Sequence, residues 1–135
     1  ILWHGKRATH WRSLQKKSLW EKGPVKYCGI QTLGIVGYGD IGYHTAKAVK
    51  AALGMRIIAL KRDVSKIEPE KRACVDELVD FSGFEYLCRE SDYIISILPN
   101  TPGTKDFFTA KAFGNMKKNG CFMKFGRGES VVEED

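Results

Sequence analysis

The sequence predicts an α/β fold, a doubly wound parallel sheet of Rossmann-like type preceded by an amino-terminal helix. Three observations carry this expectation. Short, mainly apolar runs (Thr32–Val36, Arg56–Leu60, Tyr93–Leu98) alternate with helical patterns, and continuously apolar strands are those buried on both faces of a sheet. The alternation implies right-handed βαβ crossovers. A glycine-rich turn, Gly37-Tyr38-Gly39-Asp40-Ile41-Gly42, falls where the first strand passes into the first long helix.

The elements follow in chain order. Residues 1–20 read as helical, and Gly23-Pro24 breaks the chain, so residues 1–26 form a helix and linker ahead of a domain over 27–135. Thr32–Val36 is a buried strand. Asp40–Leu53 is a helix with one apolar face, and Gly54 stands at its C-cap position. Arg56–Leu60 is the second strand. Lys61–Ala73 is charged, contains Pro69, and reads as a loop with a short helix. Leu78-Val79 is a candidate short strand, and Phe84–Glu90 is a short helix. Tyr93–Leu98 is a strand stopped by Pro99. Thr109–Met116 is a helix with Thr109 as N-cap. Asn119-Gly120 turns into a last strand, Cys121–Phe125.

Bulk properties narrow the class. At 135 residues the chain can bury one modest core. Hydrophobic residues make up 43% and charged residues 28%, an ordinary globular balance. No apolar run is long enough to span a bilayer. The net charge of +6 sits in residues 1–26, where seven Lys or Arg face the single acid Glu21. Such a stretch suits nucleic acid or an acidic membrane, but Leu2, Trp3, Trp11, Leu14 and Trp20 interrupt it. The favoured reading is a solvated helix face with those residues packed inward, and no nucleic-acid or membrane partner. Cys28, Cys74, Cys88 and Cys121 form no CxxC pair, so no metal site or disulfide is expected, and buried thiols fit a cytoplasmic location. The chain does not start with Met and ends in a charged run; it reads as part of a longer protein, with organellar targeting left open.

Ligands of doubly wound sheets bind outside the carboxyl ends of the strands. Three segments lie there. In the first, Gly37 permits a tight exit from the strand, Gly39 lets backbone approach a pyrophosphate, and Gly42 lets the helix lie close to the strand. The helix amino terminus then offers free N–H groups and a positive dipole end. At the second strand tip, Lys61-Arg62 suits the 2′-phosphate of NADP, whereas Asp63 suits the ribose hydroxyl of NAD but stands two residues late. NADP is favoured over NAD, and the alternative is that both cations are solvated loop charges. The stiff loop Pro99–Thr104 reads equally as the wall of a crevice or as a rigid connector. In Phe125-Gly126-Arg127-Gly128, flanking glycines leave room for a ligand to reach the guanidinium, which can grip a carboxylate through two parallel hydrogen bonds.

Together, TLGIVGYGDIG (32–42), GMRIIAL (54–60), SDYIISILPNTPGT (91–104) and FGRGESVVEED (125–135) resemble the D-isomer-specific 2-hydroxyacid dehydrogenase family. The resemblance covers nearly the whole chain. It implies that Asp40 and Ile41 contact the pyrophosphate, that Leu98, Pro99 and Thr104 line the cofactor site, and that Phe125 and Gly126 lie beside the nicotinamide. Arg127 matches the catalytic arginine that binds the substrate carboxylate and carbonyl. The implied reaction moves a hydride between NAD(P)H and a 2-oxo or D-2-hydroxy acid, in a protein that is usually a homodimer. The family's acidic ribose position falls on Lys61. Its catalytic Glu and His, and its substrate domain, lie outside this chain; His4, His10 and His44 do not match that His. A second reading is a nucleotide-sensing interaction module of corepressor type that keeps the fold without significant catalysis. A short-chain reductase would want a Tyr-x-x-x-Lys pair, and Tyr43–Lys47 fits only numerically, inside the glycine-turn helix.

Overall fold

The structure is a computed structural model that describes residues 1–126 and 128–132. Its centre is a parallel sheet of five strands: β1 (Thr32–Val36), β2 (Arg56–Leu60), β3 (Glu77–Val79), β4 (Tyr93–Ser96) and β5 (Cys121–Lys124), in the order β3-β2-β1-β4-β5. Six α-helices accompany them among the described residues: α1 (Leu2–Gly5), α2 (Ala8–Lys16), α3 (Asp40–Leu53), α4 (Pro69–Ala73), α5 (Phe84–Glu90) and α6 (Ala110–Gly114). Both neighbours of β1 run parallel to it, with Val36 opposite Leu60 on one side and Ser96 on the other.

Side chains alternate between two cores, as strand geometry requires. Leu33, Ile35, Ile57, Ala59, Tyr93 and Ile95 join one cluster, with Tyr43 and Ala46 of α3. Val36, Ile58, Leu60 and Ile94 join the other, with Leu87 and Cys88 of α5 and Ala112 of α6. Gly34 permits this second layer to close. A Cβ there would stand 2.4 Å from Ser91 Oγ and 2.7 Å from Leu87, so only glycine lets α5 lie this close to β1. The buried strands, α3 and α5 thus lie where the sequence places them, and Gly54 takes the left-handed C-cap conformation at φ 64°.

The amino-terminal arm departs from expectation. One helix over residues 1–20 becomes two, because Arg7 adopts a left-handed conformation between them (φ 53°). Leu2, Trp3 and Trp20, expected to face inward, are exposed; Trp11 and Leu14 are half-buried. The amphipathic pattern is real, but little of this chain lies beneath it. The arm is anchored at α1, where His4 Nδ1 lies 3.2 Å from the Tyr93 hydroxyl and Gly5 is buried. Elsewhere the differences are small. The strand expected to reach Leu98 ends at Ser96, although the Ile97 amide still donates to the Val36 carbonyl at 2.8 Å. Cys28 and Cys88 are buried, Cys74 and Cys121 half-buried, and all four are free thiols.

Candidate functional site

The strand order creates the site. From β1 the chain crosses through α3 to β2 and β3 on one side, then returns through α5 to β4 on the other. Loops leaving β1 and β4 therefore diverge, and a crevice opens between their carboxyl ends. That crevice is a cleft of about 600 Å³.

The three glycines of the first turn have separate duties. Gly37 sits at φ +103°, and a Cβ there would stand 2.7 Å from the Ile97 carbonyl oxygen. A Cβ on Gly42 would meet the Gly37 carbonyl at 2.8 Å and Ile35 at 3.3 Å. Around Gly39 a Cβ would find nothing within 4 Å, so the open side of the turn is at that residue. Gly39 is also the N-cap of α3, and no side chain caps the helix. The first-turn amides of Asp40, Ile41 and Gly42 cannot bond within the helix. They are a row of donors at a positive dipole end, on three residues that line the cleft.

The remaining predicted residues fall into three groups. Lys61, Arg62, Leu98, Pro99 and Thr104 line the same cleft as the glycine turn. Lys61 is half-buried and its Nζ donates to the Tyr38 carbonyl at 3.4 Å, which carries its charge over the turn. Thr104 is buried, and its hydroxyl bonds within the loop to Pro99 and accepts from the Thr101 amide at 3.0 Å. It holds the wall in shape. Phe125 is exposed, and Gly126 lies against Leu98, where a Cβ would stand 2.7 Å from the Leu98 carbonyl; neither lines the cleft. Arg127 lies outside the described residues.

Asp63, the alternative ribose ligand, is otherwise engaged. Its Oδ1 accepts from the Ser65 amide at 3.1 Å and the Ser65 hydroxyl at 2.6 Å, and its Oδ2 pairs with Lys66 at 3.2 Å. Ser65 first, then Lys66, hold its carboxyl below the usual range. It is absent from the cleft wall. Phe81, which sequence reasoning missed, is 42% exposed and lines the cleft beside Leu60 and Lys61. The signal for it is tertiary: β3 follows β2 in the sheet, so the residue two past its end stands near the β2 tip. Tyr43 and Lys47 do meet, at 3.3 Å, but within α3, and the tyrosine hydroxyl is turned to Glu70.

Fold and turn together define a dinucleotide-binding α/β domain. The whole chain, residues 1–135, matches the family described as D-isomer specific 2-hydroxyacid dehydrogenase, NAD binding domain, and the chain belongs to that family. A D-3-phosphoglycerate dehydrogenase from Synechocystis is 32% identical over 123 residues, covering 88% of this chain and 21% of the relative. Glyoxylate/hydroxypyruvate reductase B from Escherichia coli is 37% identical over 103 residues, covering 76% of this chain and 30% of the relative. Among solved structures, the NADPH-dependent glyoxylate/hydroxypyruvate reductase from Sinorhizobium meliloti in complex with NADP and sulfate superposes with a TM-score of 0.84 at 30% identity, covering 99% of this chain and 42% of that one. This chain spans between about a fifth and two fifths of the length of these relatives. No helix among the described residues is long and apolar enough to cross a membrane.

Proposed function

We propose that this domain is the cofactor-binding part of a reductase that interconverts 2-oxo acids and D-2-hydroxy acids, of the glyoxylate or hydroxypyruvate type, with NADPH favoured over NADH. The observation that carries this reading is the uncapped, glycine-lined amino terminus of α3 opening into the β1–β4 crevice. Backbone amides of Asp40–Gly42 hold the diphosphate. Lys61 and Arg62 meet the 2′-phosphate, a reading supported by the commitment of Asp63 to Ser65 and Lys66. Leu98, Pro99 and the loop braced by Thr104 wall the nicotinamide end, with Phe125 and Gly126 beyond them. The bound cofactor supplies the hydride. Arg127 grips the substrate carboxylate and orients the carbonyl carbon, a positioning role worth several orders of magnitude in rate.

The relatives named above are all enzymes, which favours the catalytic reading over an interaction module. Residues 1–26 serve as a link to a neighbouring domain, supported by the exposure of Trp3, Leu19 and Trp20, in a protein that is a homodimer at full length. Free thiols support a cytoplasmic location. The test is reduction of glyoxylate and hydroxypyruvate by the purified protein with each cofactor. Lys61→Asp should shift the preference from NADPH toward NADH. Arg127→Ala should remove most turnover and leave cofactor affinity nearly intact. Unchanged turnover in Arg127→Ala removes that residue from the reaction, and equal preference before and after Lys61→Asp removes the 2′-phosphate contact.

A further inference from the structure

Asp40 is an awkward residue to find at a diphosphate site. It is the first residue of α3 and lines the cleft. A carboxylate there suits the helix dipole, but an anionic ligand needs the same positive end. Two anions competing for one row of amides repel each other. The structure contains a countermeasure on a different element. Lys71 of α4 donates from Nζ to Asp40 Oδ1 at 2.7 Å and lies 3.5 Å from Glu68 Oε1. Its side chain is 24% exposed, against 83% for Asp40, so the lysine is the held partner and the aspartate the tethered one.

The tether is built into the packing of α4. The buried Tyr38, in the glycine turn itself, donates its hydroxyl to the Lys71 carbonyl at 2.8 Å. Burial pushes that hydroxyl up to about 12, so it stays a donor. One turn of α3 further on, the Tyr43 hydroxyl bonds Glu70. Two tyrosines therefore fix α4 in register on the turn, and the Lys71 ammonium arrives at Asp40 from behind, outside the cleft wall.

We propose that Lys71 is a positioning residue of the cofactor site: by neutralising and tethering the Asp40 carboxylate, it leaves the α3 amino terminus attractive to a diphosphate. The proposal rests on the reading that the cleft binds NAD(P). Because the diphosphate is common to both cofactors, Lys71 acts on NADPH and NADH alike, unlike a contact to the 2′-phosphate, which only NADPH carries.

The experiment is a fluorescence titration of NADPH and NADH on the wild type, Lys71→Met, Lys71→Arg, Asp40→Asn and the double variant Asp40→Asn/Lys71→Met, with thermal midpoints recorded for each. An exposed charge within a few ångströms of another changes affinity by roughly fivefold. Lys71→Met should weaken both cofactors by about that factor, Lys71→Arg should hold near the wild type, and Asp40→Asn should tighten both. The double variant restores the original charge balance and should return to wild-type affinity. The proposal is overturned if Lys71→Met binds like the wild type, if only NADPH is affected, or if the double variant stays as weak as Lys71→Met. Failure of the wild type to bind either cofactor would instead overturn the cofactor reading beneath it.

Discussion

The two ends of the parallel sheet treat backbone amides in opposite ways. At the amino ends of the strands they are sealed by carboxylates. Asp92, just ahead of β4, accepts from the Thr32 amide through Oδ2 at 3.0 Å, while its own amide donates to the Thr32 carbonyl at 2.9 Å. Asp76, just ahead of β3, repeats the arrangement with Ile57, at 2.8 and 3.0 Å. Each aspartate also holds a lysine, Lys117 at 3.2 Å and Lys50 at 2.7 Å. At the carboxyl ends, the α3 amides are left open, with glycine where a capping side chain would stand. One end satisfies its donors internally and stabilises the fold. The other leaves them for a ligand and must be shaped by glycine instead.

Substitutions can break this contrast. The largest effect is expected at Gly37, where a side chain meets both the positive φ and the Ile97 carbonyl. Gly37→Val should destabilise the fold by about 3 kcal/mol or more and remove cofactor binding with it, read by denaturant unfolding. Next is Gly39→Ala, which has open space around it. Its thermal midpoint should stay near the wild type while cofactor affinity falls by about tenfold, near 1.4 kcal/mol, because the methyl group stands where the diphosphate approaches. At the sealed end the pattern should reverse. Asp92→Ala strands the buried Thr32 amide and should cost about 1–3 kcal/mol in stability with cofactor affinity unchanged.

The smallest effect is in acid. Against the pull of desolvation, Lys50 and the Ile57 amide hold the Asp76 carboxyl below its usual range; Arg56, then Tyr86, do the same for Glu77. A depressed carboxyl contributes stability above its unfolded value, about 4, and that contribution is lost as pH falls through the folded value. The thermal midpoint should therefore be flat with respect to these groups from neutrality to about pH 5 and decline below about pH 4. Asp76→Asn should lower the plateau slightly and shallow the decline. An unchanged acid limb would show that Asp76 seals its strand without the charge mattering.

The open end of the sheet can be read from the chain, whereas the carboxylates that seal the other end cannot. The strands, α3, α5 and the glycine turn follow from periodicity and from backbone demands met within a few residues. The roles of Gly37, Gly39 and Gly42 are separable from sequence alone, because each is local: exit from a strand, approach of a ligand, closeness of a helix. Residues whose significance depends on a crossover were not separable. Asp63 is near the expected ribose position in sequence, yet its side chain folds back on Ser65. Phe81 enters the cleft only because β3 lies beside β2. The arm reads as an amphipathic helix whose inner face should be covered, but Leu2, Trp3 and Trp20 stand exposed because periodicity marks a face without naming what covers it.

The order of apolar strands and the chemistry of the strand-to-helix turn were determined by sequence alone, since both are written in short-range pattern and in the freedom of glycine. The pairing of Lys71 with Asp40 and the sealing of Thr32 by Asp92 were decided by tertiary structure, since they join residues 31 and 60 positions apart. Such pairings depend on how crossovers dock on the sheet, and no local pattern specifies that.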